Sequence, residues 1–116
     1  DHMGHMPVAE GVDSPGFQAL QHLVRDHGWW VKLSGAYRIS DRFDDFSDVV
    51  PWAQTLIETA PDRMLWGSDW PHVHQTRMVN TGRLRNQLAL WAPDAAVRRG
   101  ILVDNPERLY GFAPAR

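Results

Sequence analysis

Two short β-rich runs, Trp29-Trp30-Val31-Lys32-Leu33 and Met64-Leu65-Trp66, each stand between stretches with helical periodicity. Strands that alternate with helices build βαβ units and a parallel sheet. The chain is therefore expected to be α/β. In such folds ligands bind at the carboxyl ends of the strands. The residues just after each strand are then the first place to look for chemistry.

The helices announce themselves by their ends. Asp13-Ser14-Pro15-Gly16 is a start signal, and Phe17, Leu20, Leu23 and Val24 fall on one face before Gly28 stops the element. Ser34-Gly35 breaks the first strand, and Ala36 to about Asp45 reads as a long polar loop. Ser47 is expected to cap the next helix, with Pro51 in its first turn and Val49, Ala53, Leu56, Ile57 and Ala60 as its apolar stripe. Gly67 ends the second strand, and Pro71 keeps Ser68–His74 from being helical. Asn80 or Thr81 can cap a helix carrying Leu84, Leu88 and Trp91. Pro93-Asp94 opens another, with Val97, Ile101 and Leu102 inward, and Asn105-Pro106 reads as the cap of a last short helix stopped by Gly111. Trp29, Trp52 and Trp91 read as core or helix-packing residues.

Three polar clusters fall where a strand hands over to its helix: His2/His5, Tyr37/Arg38 and Asp69/His72/His74. Asp69 lies between a glycine-broken strand and a proline, with Trp66 and Trp70 on either side. Partial desolvation there is expected to raise its pKa toward a range useful for proton transfer. From spacing alone, a turn aspartate is the commoner reading. Arg38 beside Tyr37 can form an anion-binding corner, or be a surface arginine. His74, His22 and His27 are expected in solvent.

Composition narrows the classes. Charged residues are 22% and net charge is −2, without a basic block, so nucleic-acid and membrane partners are not expected. There is no cysteine, which removes disulfides, thiolate catalysis and cysteine-based zinc sites and fits a cytoplasmic protein. The 116 residues are too few for a complete eight-stranded α/β barrel, which takes about 250.

Asp1-His2-Met3-Gly4, Val31-Lys32-Leu33-Ser34-Gly35, Leu65-Trp66-Gly67-Ser68-Asp69-Trp70-Pro71-His72 and Ile101-Leu102-Val103-Asp104-Asn105-Pro106-Glu107-Arg108-Leu109-Tyr110-Gly111-Phe112 resemble, in this order, the C-terminal part of the amidohydrolase-2 family, on the side of its pyrone-dicarboxylate and sugar-lactone hydrolases. The resemblance implies one partial domain over residues 1–116, the C-terminal βα units of a (β/α)8 TIM barrel. It implies a hydrolase of a lactone or similar cyclic ester, carboxylate-bearing, that uses a base-activated water. By resemblance, Asp69 is the base and His2 contacts the substrate or a metal, while Arg38 binds a substrate carboxylate. From their places beside these residues, Tyr37, His5 and Trp70 are expected at the substrate site, and His72 either facing the substrate or behind the residues that do. His5 stands where the pyrone lactonase has a second arginine, and the family's paired histidines of the first strand lie outside this chain.

The resemblance leaves the cofactor open between one divalent metal such as zinc, held by His2 and Asp69, and none. A zinc-dependent decarboxylase on the same rim and a truncated, non-catalytic fragment are the rival readings. A small molecule is the expected partner, with self-association through the open barrel as a further expectation.

Overall fold

The computed structural model describes residues 1–114. Two strands, β1 (Val31–Leu33) and β2 (Met64–Trp66), run parallel in the register Val31↔Met64, Lys32↔Leu65 and Leu33↔Trp66. Both are shorter than the usual five or six residues. Trp29 and Trp30 stand outside β1. Trp29 is 54% exposed rather than packed in the core. Gly28 in a left-handed conformation turns the chain between helix and strand, and leaves Trp29 on the outside of that bend.

The first helix, α1 (Pro15–His27), starts as expected, with the Ser14 side chain accepting from the Phe17 amide. The stretch after β1 is not all loop. Ala36–Ile39 forms one helical turn, α2, because Gly35 takes φ 62° and sends the chain back over the strand end. Four residues are too few for periodicity to show in a sequence.

The next helix, α3 (Val50–Thr59), continues from a 3-10 turn at Ser47–Val49. Ser47 caps neither; its own amide is held by Asp45, and Pro51 sits in the first turn of α3 as expected. Asn80, not Thr81, caps α4 (Thr81–Trp91). Asp94 caps α5 (Ala95–Arg99), which runs through a π-helical turn at Gly100–Asp104 into α6 (Asn105–Tyr110). Asn105 is therefore no cap. It is buried, and its amide donates to the carbonyls of Pro61 and Met64, each at 2.8 Å.

The core lies between the strands and α1, α3 and α4. Phe17 meets Trp52 at 4.1 Å between ring centroids, and the Trp52 indole donates to the Met3 carbonyl at 2.9 Å. Leu33, Leu56, Met64, Leu88 and Ile101 are fully buried around them. Burying one such aliphatic side chain is worth about 1.5–3 kcal/mol. Tying Met3 to Trp52 also fixes the segment that carries His2. Among the described residues, no helix is long and apolar enough to cross a membrane.

Candidate active site

Because β1 and β2 are in register, the chain leaves both strands on the same side of the sheet. After β1, Gly35 and α2 place Tyr37 and Arg38 over the strand end. After β2, Gly67 and Ser68 lead to Asp69, at φ 57°. The Tyr37 hydroxyl and Arg38 Nε both donate to Asp69 Oδ2, the latter at 2.6 Å. Asp69 Oδ1 faces His2, whose Nε2 lies 3.8 Å away. His2 is held from behind by Ser34 Oγ, 3.0 Å from Nδ1. A Cβ at residue 35 would lie 2.8 Å from that same Nδ1, so only glycine lets the strand end and the histidine come this close.

Non-glycine residues with positive φ are His2, Met3, His5, Asp69, His72 and His74, with Phe46 elsewhere. The first six belong to the two segments that meet around Asp69. Left-handed backbone outside glycine costs energy and gathers where a protein needs a fixed geometry.

Burial by itself raises the Asp69 carboxyl, but hydrogen bonds from Tyr37 and Arg38 and the charges of His2 and Arg38 outweigh it. The result lies below the ordinary carboxylate range, the opposite of what the sequence leads one to expect. Desolvation was the foreseeable part; the two donors on one oxygen were not. Burial lowers His2, against the pull of Asp69, which keeps its imidazole neutral at pH 7. Burial and the bond to Asp69 push the Tyr37 phenol up to about 12, so it stays protonated and remains a donor.

The fold thus brings together Asp69, His2, Tyr37, Arg38 and His72, the last through its Nδ1 at 3.1 Å from the Tyr37 hydroxyl. His5 stacks edge-on against His2 at 5.3 Å but is exposed. Trp70, next to Asp69 in the chain, is 75% exposed. Arg38 is turned onto Asp69 and, through Nη2, the Val73 carbonyl at 3.2 Å. Two residues of this network, Ser34 and Thr81, whose Oγ1 lies 3.1 Å from His72 Nε2, are not foreseen as site residues. Ser34 is a buried polar residue at a strand end, a signal that burial alone reveals. Thr81 reads as a helix cap, and becomes available because Asn80 takes that task.

His2 and Asp69 do not by themselves make a metal site. Tetrahedral zinc takes at least three protein donors. Among the described residues no group of three histidines or carboxylates converges. Arg38 already supplies positive charge to Asp69 at 2.6 Å.

A family model described as Amidohydrolase, the amidohydrolase-2 type, matches residues 1–112. The chain belongs to that family. It is 50% identical over 114 residues to a 4-sulfomuconolactone hydrolase of Hydrogenophaga intermedia, covering 96% of this chain and 38% of that protein. It is 39% identical to a 2-pyrone-4,6-dicarboxylate hydrolase of Comamonas testosteroni, covering 95% and 39%. An apo crystal structure from Agrobacterium tumefaciens superposes with a TM-score of 0.85 at 32% identity, covering 99% and 42%. A probable 2-pyrone-4,6-dicarboxylic acid hydrolase of Acinetobacter baumannii with citric acid bound gives 0.79 at 26%, covering 97% and 42%. The chain spans about two-fifths of the length of these amidohydrolase relatives. Its strands and helices are the C-terminal part of an incomplete α/β TIM barrel.

Proposed function

We propose that the complete protein is a hydrolase that opens a lactone or similar cyclic ester bearing an anionic group, with Asp69 as general base. One observation carries the reading: the two oxygens of Asp69 have different tasks. Oδ2 is fixed by Tyr37 and Arg38, while Oδ1 is turned toward His2, at the place where a water and a carbonyl would meet. The similarity to hydrolases of sulfomuconolactone and pyrone dicarboxylate supports the substrate class.

Oδ1 takes a proton from the water as its oxygen attacks the ester carbonyl. The ring C–O bond then breaks, and the proton held on Oδ1 passes to the departing ring oxygen, which leaves an open-chain hydroxy acid and restores the carboxylate. With Ser34 donating to Nδ1 of the neutral His2 ring, Nε2 carries the proton and can donate to the carbonyl oxygen as it gains charge. Arg38 carries the positive charge beside the carboxylate that would draw the anionic group of the substrate to this rim. A carboxyl that stays ionised in mild acid is a weak base, so its contribution leans on this preorganisation.

The test is Asp69→Asn in the complete protein, assayed by acid release and by gas release on anionic lactones. The expected loss is about 10²- to 10⁴-fold in kcat, the usual worth of positioned base catalysis. A near-normal rate would remove Asp69 as the base. Carbon dioxide in place of acid would make the enzyme a decarboxylase.

A further inference from the structure

Asp69 lies at the end of a hydrogen-bonded chain that reaches the surface. Thr81 Oγ1 is 3.1 Å from His72 Nε2, and His72 Nδ1 is 3.1 Å from the Tyr37 hydroxyl, which in turn contacts Asp69 Oδ2. The direction of the chain follows from counting protons. A phenol has one proton to give, and the carboxylate can only accept, so Tyr37 donates to Asp69. The phenol oxygen must then accept from His72, which puts the His72 proton on Nδ1 and leaves Nε2 as an acceptor. Thr81 donates to that nitrogen. Every link points the same way, from the first residue of α4 to the carboxylate.

We infer that Thr81, His72 and Tyr37 are positioning residues that together hold the Asp69 carboxylate with Oδ1 turned toward the reacting water. The inference rests on the proposed role of Asp69 and reassigns two residues within it. The sequence places Tyr37 against the substrate and His72 either there or behind the residues that touch it. In the structure the Tyr37 side chain is buried and its hydroxyl is occupied at both ends. His72 has a partner at each ring nitrogen. Neither has a free polar atom to offer a ligand. The residues around the carboxylate come from separate elements: His2, with His5 beside it, from the first turn, Tyr37 and Arg38 from α2, and His72 from the loop after β2. Thr81 adds α4 to that set. Without the chain, Arg38 alone holds Oδ2, and the carboxylate is free to turn about its last bond.

Four variants of the complete protein test this: Tyr37→Phe, His72→Phe, Thr81→Val and Thr81→Ser. The expected result is a fall in kcat with KM nearly unchanged. The fall is roughly 10- to 100-fold for Tyr37→Phe, the scale of one hydrogen bond to a charged acceptor, and about two- to fivefold for Thr81→Val. Thr81→Ser keeps the hydroxyl and should restore the rate. Thr81 is exposed at the start of a helix, so its variants fold even if Tyr37→Phe does not. A rise in KM with kcat unmoved would make these residues substrate contacts and overturn the inference. So would a normal rate in all of them beside a dead Asp69→Asn. An active Asp69→Asn would instead overturn the base assignment itself.

Discussion

The two strand-to-helix connections of this rim are built in opposite ways. The one after β1 is tight and buried: Ser34, Gly35, Ala36 and Tyr37 are all inside, and the chain folds at once into α2. The one after β2 is long and open, from Gly67 to Asn80, with Trp70, Val73, His74 and Met78 in solvent. Yet the open connection carries the acid. What holds Asp69 comes almost wholly from the other side: Tyr37, Arg38 and, through Ser34, His2. The buried connection sets the geometry, and the exposed one delivers the proposed base. Loops that carry chemistry on a rigid support follow this division.

If that division is right, damage to the first connection should cost the fold and damage to the second should not. Gly35→Val is the strongest test. It forces a β-branched residue to φ 62° and drives a Cβ to 2.8 Å from the His2 ring. The expected destabilisation is about 2–4 kcal/mol by urea unfolding, from backbone strain and overpacking together. A loss under about 0.5 kcal/mol, the range of ordinary surface changes, would mean that the first connection is not the rigid one.

The second test reads the electrostatics. As the proposed base, Asp69 works only when ionised, so the rate is expected to fall as pH drops through its pKa. Burial tends to raise that pKa, and the bonds from Tyr37 and Arg38 hold it down. Removing a donor should therefore move the acid limb of kcat/KM to higher pH. For Arg38→Met the limb should move to higher pH, since the variant removes both a hydrogen bond to the carboxylate and an opposite charge beside it. An unmoved limb would show that Arg38 does not act on Asp69 in solution. The smallest effect belongs to Trp70→Ala and His74→Ala, exposed on the open connection. Both should stay within about 0.5 kcal/mol of the parent in stability. A larger loss would show that the second connection supports the fold after all.

Much of this arrangement can be read before folding. Ser14, Asn80 and Asp94 mark their helices because a short polar side chain beside an apolar period is a local signal. The three polar clusters after strands also come together where a parallel sheet must put them. What stays hidden depends on distant partners. Asn105 looks like a cap, and only the fold shows it reaching the Pro61 and Met64 carbonyls. The downward shift of Asp69 needs two donors about thirty residues earlier in the chain, at distances that composition does not contain.

Asn105 carries a further consequence, one of timing. It lies 41 residues after Met64, the first residue of the strand that delivers Asp69. During synthesis that strand emerges long before its fastening does. The Met64 carbonyl therefore gains this buried partner only after α6 has been made.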